Sequence, residues 1–157
     1  MARIPLLALA ALVSALTTVS AQQLPSKRTL TLEAARRVVA AAEAEARKNN
    51  WNVSIAIVDD AGHLVVFQRM DGAKLVATDI AIRKARTAAY FQGETKALEE
   101  EVTKGGRTAL LPIEGFMPLE GGVPLMSGGQ LVGAVGVSGV TGQQDAQCAL
   151  AGAAVIK

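Results

Sequence analysis

The sequence predicts an α+β fold, a layered sandwich in which an antiparallel sheet of about five strands is flanked by helices. Three observations carry that expectation. Apolar side chains recur with a period of two in short runs separated by turn residues, as strands require. Alanine-rich stripes with helical spacing lie before, between and after those runs. The strands pair as hairpins rather than as strand–helix–strand units, which makes the sheet antiparallel.

Residues 22–28 are polar, contain Pro25 and form a lead-in. Thr29 or Thr31 is placed to cap a helix that reaches about Lys48, with Ala35, Val38, Val39, Ala42 and Ala46 on its apolar stripe. Asn49 and Asn50 end it. Residues 52–58 alternate as a strand, Val53, Ile55 and Ile57 facing one way and Ser54 and Ala56 the other. Asp59, Asp60, Ala61 and Gly62 make a turn, and residues 63–69 return as the second strand of a hairpin. After a turn at Gly72, residues 75–91 read as a long helix. Val76, Ile80, Ala81, Ala85, Ala88 and Ala89 are expected inward, and Arg83, Lys84 and Arg86 largely outward. A short polar helix over 94–104 closes at Gly105 and Gly106. Residues 110–118 carry two prolines and suit an irregular segment or an edge strand. A second hairpin joins 123–126 to 130–138 through Ser127, Gly128 and Gly129. A last alanine-rich helix, capped by Thr141, runs over 142–156.

Composition removes several functions. Half of the 157 residues are hydrophobic and 19% are charged, which excludes a disordered tail. One histidine and one cysteine cannot build a zinc ribbon or a disulfide framework. Sixteen basic against fourteen acidic residues leave no electrostatic footprint for nucleic acid. The first 21 residues have the layout of a secretory signal peptide: a basic start at Arg3, an apolar stretch over 4–16, and small residues ending at Ala21. That stretch is shorter than the roughly 20 residues of a spanning helix. Cleavage is expected before Gln22. It leaves one domain over 22–157, periplasmic or secreted, with no membrane span.

Few residues are equipped for chemistry. Ser138 begins a nucleophile-elbow pattern, but Val140 stands where the elbow needs glycine. The glycines at 128, 129, 133, 136 and 139 lack dinucleotide-binding spacing. Gly136, within a strand, marks close packing of the last helix or a surface on which a flat ligand can lie. His63 sits at the mouth of the first hairpin, where an imidazole can ligate haem iron or another metal; the alternative is a turn histidine with no role. Asp59 and Asp60 stand beside it. Met70, Met117, Met126, Tyr90 and Cys148 are further ligand candidates that equally suit a core. Arg69, Arg83, Lys84, Arg86 and Arg107 offer cations to the propionates of a haem or to another dianion, or simply solvate a face.

Seven segments stand in order: VSIAIVD at 53–59, GHLV at 62–65, RMDGA at 69–73, DIAIRKA at 79–85, GGVPL at 121–125, GAVGVSG at 133–139 and QD at 144–145. Taken together they resemble the GlcG/HbpS-like family of small haem-associated proteins, also found as the C-terminal domain of PduO-type proteins. The resemblance spans about residues 30–157. It implies a profilin-like domain that assembles into homo-oligomers and binds haem or a related tetrapyrrole. In exported members it also implies haem or iron sensing. His63 matches a glycine-histidine pair of that family and is expected on the iron; with it, the cations Arg69, Lys84 and Arg86 and the strand glycine Gly136 are the expected cofactor-binding residues. Some members are instead assigned a histidine of the first helix, and residues 41–47 contain none here. Two other functions stay open: a haem-degrading or small-acid enzyme, and an accessory module that binds a protein such as a sensor.

Overall fold

The computed structural model describes residues 23–157, and the expected signal peptide and its cleavage site lie outside the described residues. The elements in order are α1 (Leu32–Lys48), β1 (Ser54–Asp59), β2 (Leu64–Arg69), α2 (Ala77–Phe91), α3 (Thr95–Thr103), a short 3₁₀ turn (Thr108–Leu110), β3 (Gly122–Ser127), β4 (Gln130–Ser138) and α4 (Gly142–Ala153). The α+β expectation holds, with four strands among the described residues rather than about five. The sheet is antiparallel throughout, in the order β2-β1-β4-β3. The segment expected as irregular or an edge strand is the 3₁₀ turn and the loops after it, because Pro112 and Pro118 supply no ladder donor. No helix among the described residues is long and apolar enough to cross a membrane.

The helix ends follow local chemistry. Thr31 caps α1 by accepting from the N–H of Ala34. Thr141 and Gln144 form a reciprocal capping box at the start of α4. Both central strands are covered on both faces. On one face Ile55, Ile57, Val135 and Val137 pack against Val38, Ala42, Cys148 and Ala149 of α1 and α4. On the other, Ala56, Val58 and Ala134 meet Ala81, Ala85 and Ala88 of α2. Small residues on both sides of that second interface bring α2 very close to the sheet. A Cβ on Gly136 would run into the backbone of Ala81 and Ala85. The close packing expected at Gly136 is real, but the helix that makes it is α2 and not the last one.

Three placements on α2 differ from expectation. Lys84, expected outward, is 2% exposed. Val76, expected inward, is 62% exposed, because it precedes the first helical turn and lies off the alanine stripe. Tyr90, a core candidate, is 58% exposed on the far end of the same helix.

Candidate functional site

The loop of the first hairpin is organised by Asp59. Its Oδ1 accepts from the backbone N–H groups of Ala61 (2.9 Å) and His63 (2.8 Å), which fixes the turn. Its Oδ2 lies 3.4 Å from Nδ1 of His63. The imidazole is 79% exposed, so a carboxylate backs one ring nitrogen while the other is left to a ligand. Burial acts to raise the Asp59 carboxyl. The His63 and Ala61 N–H groups and the imidazole outweigh it, and the group sits below the usual aspartate range.

That loop docks on the C-terminal half of α2. Nε of Arg86 donates to the carbonyl of Gly62 at 3.1 Å. The ring of Tyr90 lies against Gly62 so closely that a Cβ there would stand 2.5 Å from it. Beside the loop, Leu64, Asp79, Ile82, Arg83 and Arg86 line a shallow hollow of about 310 Å³. The surface thus combines an available imidazole, two guanidinium groups, and apolar area from Leu64 and Tyr90. This set suits a flat apolar ligand that carries carboxylates and a metal.

Of the expected site residues, the fold joins His63 and Arg86 and separates the others. Arg69 is at the opposite end of β2, paired with Ser54, roughly 17 Å along the strand from the His63 end. Gly136 lies beneath α2 and offers no free surface. Lys84 faces away from the hairpin loop into the protein. Its Nζ donates to Oδ2 of Asp145 (2.8 Å) and to the carbonyl of Val137 (3.0 Å), and both side chains of the pair are 3% exposed. Burial raises the Asp145 carboxyl, and the Lys84 charge and hydrogen bond only partly oppose that. Cys148 is buried, its thiol pushed up to about 12 by burial. That makes it a core residue and a poor ligand. Leu64, which has no ligating group to mark it, and Tyr90, which equally suited a core, both stand exposed beside the loop. The signal for Tyr90 was its place four residues after Arg86, on the same side of the helix.

The Asp59 contacts predict an acid response. A carboxyl held below its ordinary value of 3.8 in the folded chain stabilises the loop at pH above that value. The contribution is lost as pH falls through the lowered value. Amide exchange at Ala61 and His63 is therefore expected to accelerate below about pH 4 before the strands lose protection. Uniform exchange across the hairpin would contradict it.

A family model described as "Haem degrading protein HbpS-like" matches residues 30–154. Protein GlcG of Escherichia coli K12 is 50% identical over 113 residues, which are 72% of this chain and 84% of GlcG. A crystal structure of a double mutant of Streptomyces reticuli HbpS superposes with a TM-score of 0.79 at 38% identity, covering 88% of this chain and 96% of that one. The crystal structure of a PduOC:heme complex gives a TM-score of 0.76 at 30% identity, covering 83% and 96%.

Proposed function

Since the chain belongs to the HbpS-like family, we propose that it is an exported, oligomeric protein that binds haem or a related tetrapyrrole, for haem and iron buffering or sensing. The observation that supports this most is the first hairpin loop, where Asp59 backs an exposed His63 beside two arginines and the apolar Leu64 and Tyr90. The fit is chemical. His63 is the one histidine of the chain, its Nδ1 side is taken by Asp59, and its other nitrogen is available to iron. Arg83 and Arg86 suit the propionates, and Leu64 and Tyr90 suit the ring face. A bound haem would supply the iron and its redox chemistry. The chain's part is to hold and orient it.

The hollow is shallow, so one copy covers one side of such a ligand. A second copy against the exposed Leu64 and Tyr90 would cover the other, which fits the homo-oligomer that the family resemblance implies.

Titrating hemin into the protein is expected to give a saturable Soret shift. His63→Ala should bind about tenfold or more weakly, with the band moved toward that of free haem, and should melt like the parent because the side chain buries little. Arg86→Ala should cost less, about 0.5–1 kcal/mol, as a contact at the rim. An unchanged spectrum and affinity in His63→Ala would remove the ligand assignment, and no binding by either protein would remove the function. Consumption of bound haem when a reductant is added would instead favour the degrading activity.

A further inference from the structure

The Lys84–Asp145 pair lies at the other end of β1 from His63, and it is not sealed in the core. A cavity of about 210 Å³ opens against it, lined also by Ser138, Glu99, Glu120 and Gly142 at the start of α4. Four of the segments singled out in the sequence meet there: DIAIRKA through Lys84, GGVPL through Gly121, GAVGVSG through Ser138, and QD through Asp145.

The polar inventory of this cavity is unbalanced in a particular way. An ammonium has three donors, and Lys84 uses two, on Asp145 and Val137. The third has no acceptor among the described residues. Ser138 is 6% exposed, lines the cavity, and its hydroxyl has no hydrogen-bond partner among the described residues. The hydroxyl is open to the cavity, so an acceptor placed there can pair with it and with the third Lys84 donor together. Gly121 keeps the space open. Its φ of +125° favours glycine, and a Cβ there would come within 2.8 Å of Lys84 Nζ and of Asp145.

The opposite wall has the reverse character. Glu99 accepts the N–H of Glu120 at 2.6 Å through one oxygen, and Glu120 binds Lys96 at 2.8 Å through one oxygen. Each carboxylate keeps acceptor capacity, and together with Asp145 they outnumber the cations Lys84 and Lys96. One end therefore asks for an acceptor and the other for a positively charged donor. The volume suits a molecule of a few heavy atoms, being below the roughly 300 Å³ at which drug-sized pockets begin.

We propose that this cavity binds a small α-amino acid, its carboxylate on Lys84 and Ser138 and its ammonium facing Glu99 and Glu120. The site is separate from the hairpin loop and does not depend on haem binding there.

The test is a titration of the full mature chain with L-alanine, followed by amide NMR shifts, with propionate and lactate as matched probes. Alanine is expected to bind saturably in the millimolar range or tighter, moving the amides of Gly121, Gly122 and Ser138 and leaving those of Ala61 and His63 in place. Ser138→Ala and Glu99→Gln should each weaken it about tenfold, the loss of one hydrogen bond to a charged group, with melting temperatures unchanged. The proposal is overturned if alanine moves none of these amides at roughly 10 mM. It is equally overturned if propionate or lactate binds as well as alanine, or if both variants bind like the parent.

Discussion

Replacing Lys84 by methionine is expected to destabilise the fold by about 3–5 kcal/mol. The cause is what remains. Asp145 would stay 2% exposed, with the N–H of Val140 still donating to it but no cation to oppose its charge. For a domain of this size the loss corresponds to roughly 10 °C or more in Tm. It should depend on pH, with a definite sign. Burial already raises the Asp145 carboxyl above 3.8, and removing Lys84 raises it further. A group raised on folding favours the folded chain fully below its unfolded value, and that advantage is lost as pH rises through the folded value. The variant should therefore lose more stability at pH 7 than at pH 4. Adding Asp145→Leu to Lys84→Met should recover part of the loss, since replacing both partners leaves no orphaned charge. Thermal melts of the two variants at both pH values check this. A double variant no better than Lys84→Met would show that the pair does more than neutralise charge.

Gly136→Val is expected to be of comparable size, at about 3 kcal/mol or more. Overpacking a filled core ordinarily costs about 1–3 kcal/mol, and here the obstacle is the backbone of Ala81 and Ala85, which cannot rotate away. The whole of α2 would have to lift, separating Ala56, Val58 and Ala134 from Ala81, Ala85 and Ala88. The hairpin loop rests on the C-terminal half of that helix through Arg86 and Tyr90. Loss of stability and loss of the hydrogen bond from Arg86 to Gly62 should therefore appear together. Urea unfolding read beside the Gly62 and His63 amide shifts checks both. A variant with parental stability would mean that α2 can shift without cost.

The strands were legible because their alternation is strong. Residues 130–138 were delimited from the sequence alone, and the pairing of 53–57 with its return strand followed from the turn at Asp59. The second covered face was less apparent, since Ser54, Ala56, Ala134 and Gly136 are too small to announce a core. Lys84 was misplaced because Arg83 and Arg86 beside it are surface residues and a cation is normally read with its neighbours. Yet Ala77, Ala81, Lys84 and Ala88 share one helical stripe, so the lysine interrupts a buried face. Its partner Asp145 is 61 residues away, and only the fold brings the two together. For the same reason His63 and Arg86 could be named separately but not as neighbours.

The two outer strands of the sheet also differ in a way that bears on how the protein fails. At β3, Pro124 removes one main-chain donor, which discourages another chain from lengthening the sheet. At β2 there is no proline, and beyond the bulge at Val65 the run Val66, Phe67 and Gln68 lies half-buried along a rim with no further strand among the described residues. Misassembly on heating or at high concentration should therefore begin at one margin of the molecule. A lysine introduced at Val65 or Phe67 is the natural place to slow it.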